Sequence, residues 1–350
     1  MLTYENKARY LGVDILKAFC AFLVVCIHCP FVGIVGDYIV MVARIAVPIF
    51  FMITGFFYAD IVRKGHTRIQ IQKIFFLFLK ANLLYLLWEI MLIFISVDNI
   101  KIYFKQTVTI KVLIKFLIFN DSPFGGHLWY LGAILYVLII NEILNKKSFQ
   151  NVLYIITPIL LLGDLSLGKY SLLLFGREFS YVLVRNFLFV GLPYFCIGKL
   201  IRRIEEGSIT DEKVYKIKRC KYMVLCVIVL IANIMEKHIL VSIGANATRD
   251  HYFSTTLLAI LVFILAIQQR CLTDNKVLVL FSSIGKKYST WIYIMHPIFI
   301  IILDRIAVMT KLNKNYEFFG PIIVYFVTLT MGVVWSKMMT KWMGMKNECN

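Results

Sequence analysis

The chain has no low-complexity tract, no internal repeat and no linker, and its one CxxC spacing, Cys26 to Cys29, lies at the end of an apolar run. Cys20, Cys26, Cys29, Cys196 and Cys226, of eight cysteines in all, lie within apolar runs, where thiols behave as small core side chains. Scattered and mostly apolar in setting, they read as core side chains, neither a disulfide framework nor a metal site. Acidic residues are scarce too: 20 Asp and Glu against 38 Lys and Arg leave a net charge of +18. In a soluble protein that excess would point to nucleic acid. Here the basic residues gather in short segments between apolar runs, so they report membrane orientation and no nucleic-acid partner is expected. The first apolar run carries Asp14, Lys17 and His28 with no small-residue cleavage site after it, and it reads as a retained helix instead of a signal peptide.

What the chain has in abundance is apolar length. It is 60% hydrophobic with a mean hydropathy of +0.78, beyond the roughly 45 to 50% apolar share of soluble domains. A helix needs about 20 apolar residues to cross the hydrocarbon core. Ten runs approach that length: roughly 11–32, 39–59, 74–97, 127–145, 151–163, 181–201, 222–242, 253–271, 288–306 and 319–341. The fold class is therefore all-α, a polytopic membrane bundle of about ten transmembrane helices in a single domain over 1–350. The segment 202–221 is the longest strongly charged one, and the positive-inside rule puts it in the cytoplasm. Alternation then places both termini inside, in a multi-pass protein of the cell membrane. Segment 98–126 dissents, since Lys101, Lys105, Lys111 and Lys115 fall outside. Its TIKVLIKFLIF pattern predicts an amphipathic helix lying on the membrane surface.

Ionisable groups inside such runs are costly and face a bundle interior or a wet cavity. Lys17 and His28 are about three turns apart on the first helix and point the same way, with Asp14 one turn before Lys17. Topology sends Arg44, Glu89, His127, Trp129, Arg185, Asn186 and Glu236 to the same outer layer as His28. Pro48 follows Arg44 by four residues, and a helical proline leaves the carbonyl four residues earlier without its donor. His296 lies mid-helix before a proline. An inner basic group of Lys73, Lys80 and the 60–73 segment suits a phosphate-bearing molecule from the cytoplasm. Each residue also has an architectural reading: a buried His as a helix–helix hydrogen-bond partner, Arg44 as a partner for Glu89, Lys80 as a snorkelling lysine, and HLWYL as an interfacial aromatic belt.

The stretches GVDILKAFCAFLVVCIHCPF, RIAVPIFFMITGFFY, HLWYLGAILY, LPYFCIGKLI and STWIYIMHPIFI, in this order across nearly the whole chain, resemble the membrane acyltransferase-3 family. The resemblance implies transfer of acyl groups, commonly acetyl from cytoplasmic acetyl-CoA, onto an extracytoplasmic sugar or a small polar acceptor, with membrane lipid around the bundle. HLWYL, FFM-T-GFF and Arg185-Asn186 are also similar to the membrane part of vancomycin-resistance serine racemases, associated with serine uptake. The family's first helix carries an arginine and a histidine with ten residues between them; here Lys17-X10-His28 keeps the spacing and the histidine. Its RxxR pair is absent, and Lys73 and Lys80 stand in KIFFLFLK instead. Lysine keeps the charge but loses the bidentate fork. As these 350 residues hold no SGNH-type hydrolase domain, the membrane domain is expected to hand its acyl group straight to the acceptor.

On that reading His28 is the general base or nucleophile and Arg44 stabilises the oxyanion or orients the histidine. Lys17, Glu89, His127, Trp129, Arg185, Asn186, Glu236 and His296 surround the acceptor, Lys73 and Lys80 hold acetyl-CoA, and no metal is expected. The rival reading is a transporter or binding protein for a small polar solute such as serine, using the same charges without a chemical step. An inert scaffold is a third.

Overall fold

The computed structural model describes residues 10–96, 100–146, 149–207, 212–269 and 275–348. Apolar runs without internal breakers become helices, and the breaks come where the backbone chemistry requires them. The first run forms α1 (Leu11–His28), which ends just before Pro30. A turn with Gly33 at a φ of 76° leads into α2 (Gly33–Ala43). Pro48 has no N–H for the Arg44 carbonyl, and the chain turns at residues 44 and 45 before resuming as α3 (Ala46–Arg63). There follow α4 (Thr67–Ser96), α5 (Ile100–Thr107), α6 (Ile110–Phe119), a 3₁₀ turn (Gly126–Leu128), α7 (Trp129–Lys146), α8 (Gln150–Leu167), α9 (Ser171–Phe175) and α10 (Tyr181–Val184). A π turn (Phe187–Gly191) leads into α11 (Leu192–Glu206), followed by α12 (Glu212–Ser242), α13 (Phe253–Ile267), α14 (Lys276–Met309) and α15 (Asn313–Glu348).

Among the described residues eight helices are long and apolar enough to cross a membrane, with two shorter apolar helices, Asn151–Leu167 and Phe253–Ile267. Together they account for the ten apolar runs of the sequence, as a polytopic helical bundle. The amphipathic segment is α6. Thr109 Oγ1 accepts from Val112 N at 3.3 Å to start it, and Asn120, at a left-handed φ of 56°, ends it.

The chain forms two compact units. The first comprises residues 1–47, 212–230 and 257–350. Its core is α1 packed on α14 and α15, through Ala18, Ala21, Val25, Ile292, Val324 and Tyr325. In lipid no hydrophobic force separates helix from helix, so close association relies on small side chains and hydrogen bonds. Gly285 supplies the first: a Cβ there would lie 1.8 Å from the Asp14 carbonyl oxygen. Tyr325 Oη donates to Ala18 O at 3.3 Å and Trp291 Nε1 to Thr328 O at 3.0 Å, supplying the second.

The second unit comprises residues 48–211 and 231–256. Here α3 and α11 meet at a reciprocal glycine contact. A Cβ on Gly55 would fall 2.0 Å from Phe195 O, and one on Gly198 2.1 Å from Met52 O. Around it Phe51, Phe56, Tyr58, Tyr194 and Phe195 are fully buried. Asn186 joins α10 to the π turn. Its Oδ1 accepts from Leu188 N (2.9 Å) and Phe189 N (3.1 Å), while Nδ2 donates to Leu183 O (2.8 Å) and Val182 O (3.1 Å). One side chain thereby satisfies backbone groups on both sides of the helix break.

Candidate functional site

The candidate residues divide between the two units. In the first, Lys17 Nζ meets Asp14 Oδ1 at 3.2 Å, one turn apart on α1, so the lower part of the polar stripe is an ion pair. His28, the last residue of α1, is exposed and lies beside the fully buried His296 of α14, with ring centroids 5.1 Å apart. The Nδ1 of His296 is 3.0 Å from Ile292 O. A carbonyl only accepts, so Nδ1 carries a hydrogen. Arg44 closes α2, which packs against α1. The end of α1 is braced by α15: Cys29 Sγ lies 4.0 Å from Tyr316 Oη, and a Cβ on Gly320 would come within 3.0 Å of that sulfur.

In the second unit the side chain of Arg185 lies over two rings, 4.4 Å from the Tyr181 centroid and 5.5 Å from that of Trp129. A narrow cleft beside it, with room for about one water, is lined by Arg185, Tyr181, Asp164, Arg249, Asp250 and His251. His251 Nδ1 and Asp164 Oδ2 are 2.8 Å apart and both side chains are buried, at 5% and 3% exposure. The carboxylate fixes which ring nitrogen carries the hydrogen, as in any base oriented by an acid. Arg249 pairs with Glu178 at 3.0 Å, and Tyr181 donates to Asp250.

Glu236 has an architectural job. Its carboxylate accepts from Phe253 N (2.9 Å) and Ser254 N (3.0 Å), two of the unsatisfied donors that open α13, and from the hydroxyls of Tyr170 and Ser254. Burial and the Glu236 charge push the Tyr252 hydroxyl up to about 12. It stays protonated and donates to Asn246 Oδ1 at 2.8 Å. His127 is buried edge-to-face on Tyr85 at 4.7 Å. Glu89 is half-buried on α4. Lys73 and Lys80 are exposed, two turns apart on one stripe of α4 that also exposes Phe76 and Leu83. In the neighbouring basic segment Arg63 is bonded to Asp60 and Glu206, whereas Lys64 and Arg68 remain exposed.

Asp164, Arg249, Asp250 and His251 are not among the candidates that the sequence singles out. Asp164 follows directly on the fifth apolar run, whose end at 163 is set by composition alone, whereas α8 continues to Leu167.

The chain is 26% identical over 329 residues to an amino-acid racemase of Enterococcus faecalis, covering 88% of this chain and 43% of the racemase. It is 26% identical over 209 residues to a serine/alanine racemase of Enterococcus gallinarum, 56% of this chain and 29% of that one. A second amino-acid racemase of Enterococcus faecalis matches at 30% over 163 residues, 43% of this chain and 22% of the relative. The chain thus spans less than half the length of these curated relatives. No solved structure gives a significant match. The acyltransferase domain family, acyltransferase-3, matches residues 10–340, and the chain belongs to that family.

Proposed function

We propose that the protein is a membrane O-acyltransferase that takes acetyl from cytoplasmic acetyl-CoA to a hydroxyl on an extracytoplasmic glycan or other envelope molecule. Membership of the acyltransferase-3 family supports the reaction class. The observation that carries the site assignment is the His28–His296 pair, in which an exposed imidazole stands against a buried one whose Nδ1 is held by a backbone carbonyl. In the proposed step a neutral His28 takes the proton of the acceptor hydroxyl. The oxygen attacks the thioester carbonyl, the C–S bond breaks, and the proton passes to the departing thiolate, giving an ester and free CoA. Positive charge developing on His28 lies at the C-terminal end of α1, where helix carbonyls favour a cation. Arg44 is assigned to the oxyanion. Lys73, with Lys64 and Arg68, offers the exposed cations for the phosphates of the coenzyme.

A second reading has its own observation. The cleft beside Arg185 sets arginines and carboxylates together around the buried His251–Asp164 pair, a charge pattern suited to a small zwitterion, although the cleft as it stands holds about one water and would have to widen to admit one. The relatives named amino-acid racemases make an amino acid such as serine the solute to try. Proteoliposomes given labelled acetyl-CoA and, separately, labelled serine distinguish the two. Thiol release that depends on an added hydroxyl acceptor supports the transferase. Serine uptake indifferent to acetyl-CoA supports the alternative.

A further inference from the structure

A groove in the second unit has the form of a site for an alkyl chain. Its walls are Ile118 and Phe119 of α6, Leu183 of α10, and Phe187, Leu188 and Phe189 of the π turn, and its volume is about 330 Å³. That lies within the roughly 300 to 1,000 Å³ of small-molecule sites. Asn186 is the one polar residue lining it, and both ends of its amide are engaged by backbone, so the groove offers a ligand only carbon. The walls are fixed to one another. Asn120, at the end of α6, donates to Trp129 O at 2.9 Å and accepts from Phe187 N at 3.0 Å, and Tyr136 stands edge-on to Phe187 with centroids 5.1 Å apart. The groove is thus preformed and does not depend on a ligand to open it.

Its rim is basic. Arg177, exposed in the turn before α10, stacks over the ring of Phe179, another wall residue, at 5.0 Å, and makes no ion pair among the described residues. Glu178 beside it is bonded instead to Thr248 and Arg249. On α6 the exposed residues Ile110, Leu113, Ile114 and Leu117 form one apolar face. Lys111 and Lys115, one turn apart, flank it. A helix so divided lies in the membrane interface with its cations at headgroup level. We propose that this groove binds one acyl chain of an anionic glycerophospholipid, whose phosphate is held by Arg177 with Lys111 and Lys115 nearby. The lysines that run against the orienting charge bias of the chain then have a partner.

The test is native mass spectrometry of the full-length protein, delipidated in detergent and offered equal phosphatidylglycerol and phosphatidylcholine. Phosphatidylglycerol is expected to be retained about fivefold over phosphatidylcholine, the scale of one basic side chain at an anionic headgroup. Leu183→Trp, which fills the groove, is expected to abolish retention of both lipids. The exposed Arg177→Gln is expected to keep lipid but lose the preference, and it decides the matter if the tryptophan variant does not fold. Equal retention of the two lipids by the unaltered protein, or an undiminished preference in Arg177→Gln, overturns the proposal.

Discussion

Asp164 and His251 are separated by 87 positions and meet at 2.8 Å, a pairing that no local pattern announces. Breaking a buried pair leaves the survivor uncompensated, at a cost on the order of 3 kcal/mol. Asp164→Leu and His251→Leu are each expected to lower the thermal midpoint in detergent, and the double substitution to recover part of the loss. Equal midpoints for all four proteins would show that the pair contributes nothing to stability. A second residue-scale expectation concerns pH. The Thr248 N–H and hydroxyl, followed by the Arg249 charge, hold the exposed Glu178 carboxyl below its ordinary value of 4.5. Folding lowers this pKa, so its stabilisation of the 248–249 turn is complete above that ordinary value and is lost as pH falls through the folded one. Hydrogen exchange at the Thr248 amide is expected to speed up on acidification, and Glu178→Gln to show the fast rate already at neutral pH. Identical protection in both proteins at pH 7 would refute this. His28, Arg185 and Trp129 were legible in sequence because ionisable and aromatic groups stand out against apolar runs. Asp164 was not, because it sits at the end of a short run whose limit is set by composition alone.

At the scale of elements, legibility followed backbone chemistry. Pro48 announces the break between α2 and α3, and the alternation of lysine with aliphatics announces α6. The break at Arg185–Asn186 has no proline to mark it; an asparagine side chain makes it, and its four hydrogen bonds depend on tertiary placement. The α3–α11 crossing is likewise silent in sequence, because glycine in a membrane helix is common and only the partner gives it meaning. A Cβ on Gly198 would meet the Met52 carbonyl at 2.1 Å, so Gly198→Ala forces the helices apart. The expected penalty is about 1 to 3 kcal/mol of overpacking, read as a lower unfolding midpoint. Gly207→Ala is the control, since its nearest neighbours stand 3.7 Å away, and it is expected to leave the midpoint where it was. If both substitutions behave alike, the close crossing is not what holds α3 to α11.

The whole molecule shows a bundle whose ten apolar runs were readable by length and hydropathy, whereas its division into two units was not. The discontinuous segments of each unit come together only through packing, which hydropathy does not encode. Orientation rests on charge bias, and it yields a topological expectation. A cysteine at Lys64 is expected to react with an impermeant maleimide from the cytoplasmic face only, and one at Arg177 from the opposite face only. The reverse pattern would invert the bundle and with it the sides assigned to donor and acceptor. The central claim is acyl transfer through His28, and CoA release tests it most directly. Proteoliposomes bearing the unaltered protein, His28→Ala or Lys17→Arg are supplied with labelled acetyl-CoA on the cytoplasmic face and a hydroxyl acceptor on the other, and free thiol is followed. Loss of a general base lowers rates by about 10² to 10⁴, so His28→Ala is expected to fall by that factor while remaining folded. Lys17→Arg, which gains the forked donor, is expected to match or exceed the unaltered protein. Thiol release by His28→Ala at the unaltered rate would contradict the account.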